Sequence, residues 1–138
     1  MSYNIVSKYI KDISFEIPNT KAYVMLEKEI SNYSLNFDIK SNPIKDNIIE
    51  VNTSLRITPN QDVKHKILAE LTCTAVVSIQ DNFENKKELE KIVLIKVPTE
   101  IYSTLYDTFI FLFTQAGVKT IEIDKKVDFE KLYNQRKK

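Results

Sequence analysis

Few residues of this chain have the types and spacing that catalysis requires. His65 is the only histidine, and it lies among lysines before a strand-like segment, as a solvated surface side chain would. Asp12 and Glu16 lie four positions apart in an extended segment, about 13 Å, which is too far for an acid–base pair of carboxylates. Ser14 has neither a glycine elbow nor a histidine nearby in sequence to make it a nucleophile. The sequence therefore predicts no catalytic residue and no metal site, and it disfavours an enzyme.

Two residues that occur only once exclude further chemistry. Cys73 is the only cysteine, so it cannot form an intramolecular disulfide, and its place in an alternating segment is typical of a small buried hydrophobic side chain. Gly117 is the only glycine, whereas phosphate-binding loops need several residues without a Cβ. We therefore predict no nucleotide site and no cofactor.

The composition is that of an ordinary globular protein. Of 138 residues, 43% are hydrophobic and 28% are charged, which favours one domain over residues 1–138. The formal net charge is +1, and no basic stripe predicts nucleic-acid binding. The apolar run 109–113 is far shorter than the ~20 residues that span a bilayer, and the N-terminus lacks a signal-peptide pattern. We expect a cytoplasmic protein without a membrane-spanning segment.

Four segments alternate apolar and polar residues, which is the period of strands with one buried face. They cover residues 8–19, 33–40, 49–58 and 67–80. In each, the odd-numbered side chains would face the core and the even-numbered ones would face water. In the first segment the expected core residues are Tyr9, Ile13, Phe15 and Ile17, and the expected solvent-facing residues are Asp12, Ser14 and Glu16.

The segments between these strands complete the predicted fold. Short connections after strands two and three favour antiparallel neighbours, whereas the connection 19–31 is longer and carries apolar residues. The run Ile92–Val97 could be extended. Pro98 fits the first turn of a long helix that ends at Gly117, and Asp128 fits the N-cap of a last helix. The order predicts an α+β fold, a four-stranded antiparallel sheet with helices on one face.

The first strand also carries a specific resemblance. Its string of tyrosine, one residue, Lys11-Asp12, one residue, Ser14-Phe15-Glu16, one residue and proline resembles the opening strand of SecB, the bacterial protein-export chaperone family. Residues 68–79 and 127–133 are similar to that family less sharply. The resemblance implies an ATP-independent holdase that binds unfolded or nascent preproteins and delivers them to the SecA ATPase. It also implies a homotetramer built as a dimer of dimers.

The resemblance further implies site residues. The family docks SecA through acidic side chains of the outer sheet face, and the matching positions are Asp12, Glu16, Leu68 and Glu70, all even-numbered. Its client groove is lined by the crossover after strand one and by the last helix, which match Tyr23, Met25, Leu26, Ile67, Phe129, Leu132 and Tyr133. The alternative is that these seven complete the core. The long helix is too apolar for one sheet, and the residues expected to bury it between dimers are Phe109, Ile110, Phe111 and Phe113.

The chain departs from the family's pattern in the opening of the long helix at 99–107, at Thr74-Ala75, and in its basic tail Arg136-Lys137-Lys138. A SecB-like chaperone dedicated to an antitoxin therefore fits as well as an export chaperone. Two further alternatives come from other classes: a carrier of small apolar ligands, and a scaffold subunit that uses its helix only for assembly. The identity of the client is not written in the sequence.

Overall fold

The computed structural model describes residues 2–60, 62–80, 85–118 and 121–136, and it has the predicted α+β fold. The strands are β1 (Tyr3–Glu16), β2 (Tyr33–Lys45), β3 (Ile48–Pro59) and β4 (Leu68–Ile79). The helices are α1 (Thr20–Glu29), α2 (Lys86–Lys91), α3 (Val97–Gln115) and α4 (Phe129–Arg136), with a short 3-10 turn at Ile30–Asn32 and a π-helical turn at Ile92–Lys96.

All four strands pair antiparallel, in the order β1-β4-β3-β2. The short connections join neighbours, as predicted, and the crossover that contains α1 carries the chain from one edge of the sheet to the other. Strands β1 and β2 are therefore the two edges. The helices cover one face, called the inner face, which carries the odd-numbered residues of β4 from Ala69 to Ile79. The opposite face is called the outer face.

Strand β1 does not keep the simple alternation that its sequence predicts. Its register with β4 shifts between Ile5 and Ser7 and again between Ile10 and Asp12. Each β-bulge adds one residue and moves the following side chains to the other face. Tyr9 therefore lies opposite Thr74 on the outer face and is 49% exposed, so the prediction that it faces the core is wrong.

Two segments for which the sequence predicts no helix fold as helix. The crossover contains helix α1, whose first turn is capped by Asn19, since its side chain accepts from the backbone N–H of Ala22 at 2.8 Å. The run Ile92–Val97 is helical and not extended: Ile92–Lys96 forms a π-helical turn and Val97 begins α3, so helix is continuous from Lys86 to Gln115. The helical phase buries both Ile92 and Val97 fully, and the wide turn directly precedes Pro98, which has no N–H for a regular helical bond.

Three smaller predictions need correction or lie outside the description. Strand β2 continues through Pro43 to Lys45, because an edge strand tolerates a missing N–H. His65 is only half-exposed, and its Nε2 is buried without a hydrogen-bond partner among the described residues, so it is not a fully solvated side chain. The polar segment 82–91 is expected to form a turn or a short helix; residues 82–84 lie outside the described residues, and Lys86–Lys91 forms α2. The tail residues Lys137 and Lys138 lie outside the described residues.

The core lies between the inner face and α3. Phe109 and Phe113 are fully buried with ring centroids 5.0 Å apart, and the edge of Phe15 packs against Phe113 at 5.0 Å. Helix α3 ends as predicted: Gly117 has a φ of +85°, and the N–H of Val118 donates to the carbonyl of Phe113 at 2.9 Å. This is the left-handed C′ geometry that glycine adopts without strain.

Candidate functional site

An open groove of about 340 Å³, called the β2 groove, runs beside strand β2 and beneath α4. It combines residues from three separate parts of the chain. Its lining consists of Leu35, Asn36, Phe37, Asp38, Ile39, Leu94, Phe129, Leu132 and Tyr133. Six of these nine side chains are purely hydrocarbon. The polar groups are the side chains of Asn36 and Asp38 and the hydroxyl of Tyr133. The composition is that of a site for apolar side chains.

Aromatic contacts fix the position of α4 over this groove. Asp128 caps the helix as predicted, since its Oδ1 accepts from the N–H of Lys131 at 3.0 Å. Phe129 packs edge-on against Phe37 of β2, with centroids 5.3 Å apart, and against Tyr102 of α3 at 6.1 Å. Because Phe129 is only 2% exposed, it anchors one wall of the groove and leaves Leu132, 40% exposed, at its mouth.

The segment before α4 is held by a buried phenol. The hydroxyl of Tyr102 donates to the carbonyl of Asp124 at 2.7 Å. Burial, followed by the nearby charge of Asp124 and the neighbouring Tyr106, raises the pKa of Tyr102 to about 12. The phenol therefore stays protonated, and the bond stays intact, throughout the physiological pH range.

The β2 groove follows the edge of a strand. Five consecutive residues of β2, 35–39, line it, although successive side chains of a strand point to opposite faces. Among the described residues β2 pairs only with β3, so alternate N–H and C=O groups along its other edge have no strand partner. The groove thus offers unpaired backbone groups next to an apolar wall, which is the combination used to bind an extended peptide as an added strand.

The seven residues expected to line a client groove separate into three groups. Phe129, Leu132 and Tyr133 meet in the β2 groove. Leu26 and Ile67 are buried and line neither the β2 groove nor the outer concavity, so in the protomer they pack in the core, as the alternative interpretation expects.

Tyr23 and Met25 lie on α1, away from the β2 groove. The Tyr23 hydroxyl donates to the carbonyl of Gly117 at 3.1 Å, at the far end of α3. Leu94, which lines the β2 groove, precedes Gly117 by some 20 residues of mostly helical chain, a separation of roughly 30 Å. The crossover and α4 therefore do not form one groove within a protomer.

Sequence reasoning missed Leu94 and the odd-numbered residues of β2 as groove residues. Leu94 was missed because the run 92–97 was interpreted as extended. The alternation of 33–40 predicted Leu35, Phe37 and Ile39 as inner-face residues. It carries no signal that β2 is an edge, since edge position depends on the crossover.

The four residues expected to dock SecA share the outer face. Glu16 pairs with Leu68, Ser14 pairs with Glu70, and Asp12 pairs with Thr72. The bulges of β1 lie before these residues, so their even-numbered alternation is preserved. A wide, polar concavity of about 640 Å³ lies on this face and includes Asp12 and Glu70. It also contains three cations that the docking prediction did not consider, namely Lys11, Lys40 and Arg56.

The long helix is less available for assembly than predicted. Phe109 and Phe113 are 0% exposed in the protomer, so they pack beneath the sheet and cannot also lie between protomers. Phe111 is 58% exposed, and Ile110 is half-buried. Helical geometry places Phe111 on the side of α3 that faces away from the sheet and Ile110 on its flank. The surface left for self-association is thus narrower than the apolar composition of the helix indicates.

Three further features of the described residues concern metal binding, the cysteine, and helices that could cross a membrane. No group of three histidine, cysteine or acidic side chains in ranges 2–60, 62–80, 85–118 and 121–136 is arranged to hold a metal ion. Cys73 is fully buried, as predicted, and burial raises the pKa of its thiol. In the part of the chain that the structure describes, no helix has the length and apolarity needed to cross a bilayer.

Comparison with known proteins finds relatives over the whole chain. Residues 1–138 match the family model described as "Preprotein translocase subunit SecB". A putative protein-export protein SecB of Pelagibacter ubique is 42% identical over 135 residues, which cover 98% of this chain and 96% of the relative. The protein-export protein SecB of Burkholderia lata is 28% identical over 134 residues, covering 97% and 81%.

A solved structure shows the same fold. It is a SecB-like chaperone of Mycobacterium tuberculosis, in complex with a peptide from an antitoxin. It matches with a TM-score of 0.56 and 15% identity, over 88% of this chain and 90% of the other. The family match over the whole chain and the relative that is 42% identical establish that the chain belongs to the SecB family.

Proposed function

We propose that this protein is a protein-export chaperone that holds unfolded preproteins without using ATP. Membership of the SecB family supports the export role. The sequence supports the independence from ATP, because a chain with a single glycine has no phosphate-binding loop of the known kinds. The proposed site of client binding is the β2 groove.

The observation that carries the proposal is that an apolar wall lies directly beside the edge of strand β2 in one groove. A holdase must bind many sequences, so it needs contacts that do not depend on particular side chains. Backbone hydrogen bonds to the edge of β2 supply affinity for any extended segment, while Leu94, Phe129 and Leu132 accept its apolar side chains. Such a site favours unfolded chains, because folded proteins have already paired their backbone groups.

The proposed quaternary structure is a homotetramer arranged as a dimer of dimers. The exposed apolar side chains Phe111 on α3, and Val6 and Ile13 on β1, are 58%, 57% and 48% exposed in the protomer. Burying such groups between protomers is favourable at about 25 cal/mol per Å² of apolar surface. Phe111→Asp would place an unpaired charge in the contact, so we expect sedimentation to show smaller assemblies for this variant.

The outer face is the proposed docking surface for SecA, through Asp12, Glu16, Leu68 and Glu70. Leu68 is 46% exposed beside Glu16 of the neighbouring strand, which gives the carboxylates an apolar neighbour. The four docking residues lie on β1 and β4, whereas the β2 groove lies at the opposite edge of the sheet, and the outer concavity meets the groove at Asn36, Phe37 and Asp38. A motor that contacts only the β1–β4 half would leave the groove open to a client, as delivery in the cytoplasm requires.

The test measures aggregation of a chemically denatured client after dilution, without nucleotide. We expect the protein to suppress light scattering and Leu132→Ser to lose most of this effect. The matched control is Ile44→Ser, because Ile44 is also an exposed apolar residue, 55% exposed, but lies outside the β2 groove. Equal loss in both variants, or no suppression by the wild type, would contradict the proposal. Extraction of a bound lipid would instead favour an apolar-ligand carrier, and capture of one antitoxin alone would favour a dedicated chaperone.

A further inference from the structure

The concavity on the outer face has two electrically different halves. Strand order places β1 and β4 on one side and β3 and β2 on the other. The first half contributes Asp12 and Glu70, with Lys11 at the bulge, and Glu16 continues the acidic side along β1. The second half contributes Arg56 and Lys40 with one carboxylate, Asp38. The face is therefore not uniformly acidic; it is negative towards β1 and positive towards β3 and β2.

Of the two cations of the second half, Lys40 has an ion-pair partner among the described residues and Arg56 has none. The ammonium of Lys40 lies 3.7 Å from the carboxylate of Asp38 on the same strand, an ion pair open to solvent. Arg56 is exposed and lies directly opposite Glu70 in the β3–β4 register, with Cβ atoms about 5 Å apart. No ion pair joins Arg56 and Glu70 among the described residues, although their positions are neighbours. Both charged groups thus remain available at the border between the halves.

The centre of the concavity is polar and already satisfied. Ser54 and Thr72 share a hydrogen bond of 2.8 Å between their hydroxyl oxygens, and the hydroxyl of Thr74 donates to Asn52. These short side chains form the floor of the concavity, and because they are already hydrogen-bonded to one another they contribute little to the binding of a ligand. The charged side chains at its margins therefore decide which partner fits.

We infer that the outer face recognises a polypeptide segment that carries both signs of charge, with basic residues over Asp12, Glu16 and Glu70 and a carboxylate over Arg56. The guanidinium of Arg56 offers a planar fork that matches a carboxylate with two hydrogen bonds. A purely basic segment would bring its own cations towards Arg56 and Lys40 and lose attraction there. The inference rests on the proposed function in one respect: it names the charge pattern of the partner that docks on this face.

The experiment uses the full-length protein and synthetic peptides of about twelve residues, long enough to cross the four strands. One peptide has a lysine-rich half and a glutamate-rich half, and a second has lysines with neutral residues in place of the glutamates. Affinities are measured by calorimetry at low salt. We expect the mixed peptide to bind roughly tenfold tighter than the basic peptide. In Arg56→Glu the preference should reverse in favour of the basic peptide.

The matched control is Lys87→Glu, which makes the same change in net charge at an exposed position of α2. It should keep the preference for the mixed peptide. The inference is overturned if wild-type protein binds the basic peptide as tightly as the mixed one, if Arg56→Glu keeps the original preference, or if inorganic phosphate alone displaces the mixed peptide. Suppression of client aggregation, measured on the same variants, reports the β2 groove separately. A wild-type protein that does not suppress client aggregation would count against the proposed function and not against this charge pattern.

Discussion

The two edge strands of the sheet expose apolar surface in different ways. Strand β2 keeps one register with β3 from Tyr33 to Pro43 and borders a groove closed on one side by α4. Strand β1 is interrupted by two bulges, and its exposed apolar residues fall on both faces, with Tyr9 on the outer face and Ile13 on the inner face. A concavity at the C-terminal end of β1 is lined by Phe15, Ile17, Asn19, Thr20, Tyr23 and Ala116, so it meets this strand only at Phe15 and does not follow its edge.

This difference indicates a division of roles between the edges. A straight edge beside an apolar wall can accept extended chains of many sequences. A bulged, twisted edge pairs poorly with an arbitrary strand, because bulges disrupt the ladder of hydrogen bonds. Its isolated apolar side chains are better suited to a fixed contact with another protomer. We therefore propose client binding at β2 and self-association on the β1 side.

The largest expected effect is on stability at the wall of the β2 groove. Phe129→Ala should lower the free energy of unfolding by about 3 kcal/mol, because it removes a buried ring packed against Phe37 and Tyr102. Leu132→Ala, at a position 40% exposed, should cost less than about 1 kcal/mol while still weakening client binding. Urea denaturation checks both values. Similar costs for the two variants would show that α4 is not anchored by Phe129.

The second prediction concerns the β1 edge. Ile13→Lys should weaken self-association strongly, because a lysine would have to lose its hydration in the contact between protomers. The protomer itself should tolerate the change, since Ile13 is 48% exposed and a lysine head group can reach water. Sedimentation equilibrium measures the assembly, and the matched control is Ile44→Lys. An intact assembly in Ile13→Lys would remove β1 from the proposed interface.

A smaller effect is expected from charge reversal on the outer face. Glu70→Lys should change the free energy of unfolding by less than about 1 kcal/mol, since single charges open to solvent contribute little. Its association with SecA should become undetectable at low salt, because Glu70 borders Arg56 and a fourth cation in the concavity leaves the face repulsive to a basic partner. Client binding at the β2 groove should persist. Wild-type protein with no affinity for SecA would contradict the docking role.

The smallest effect is a dependence on alkaline pH. The folded-state pKa of Tyr102 is raised from 10.0 to about 12, so the unfolded chain loses this proton first as the pH rises. The stabilisation is fully present below pH 10 and is lost between pH 10 and about 12. Tyr102→Phe should therefore lose less stability than the wild type over this interval. Part of the decline should remain, because the pKa of Tyr3 is also raised to about 12, chiefly by burial.

The sequence predicts the sheet well where pairing is regular. The alternation of β3 and β4 places Val51, Leu55 and Leu71 on the inner face, where all three are fully buried. It fails at Tyr9, because a bulge depends on the partner strand and leaves no mark in the local period. It also fails at Ile92–Val97, since a short apolar run has the same composition in a strand and in a buried helix.

The candidate site was predictable only in part, for a related reason. Leu132 and Tyr133 followed from the resemblance and from the amphipathic last helix. Leu94 required knowledge that the π-helical turn packs beside α4. Phe109 and Phe113 were assigned to an interface because periodicity shows which side of a helix is apolar, but not how much of that side the sheet covers.

The assignment of client binding to the β2 groove is tested most directly by site-specific photocross-linking. A photoreactive amino acid is placed at position 132 or, as control, at position 44, and the protein is mixed with a denatured client. Residue 44 is the more exposed of the two, at 55% against 40%, so nonspecific capture would favour it. We expect position 132 to capture the client and position 44 to capture little. Capture from position 44 that equals or exceeds capture from position 132 would contradict it.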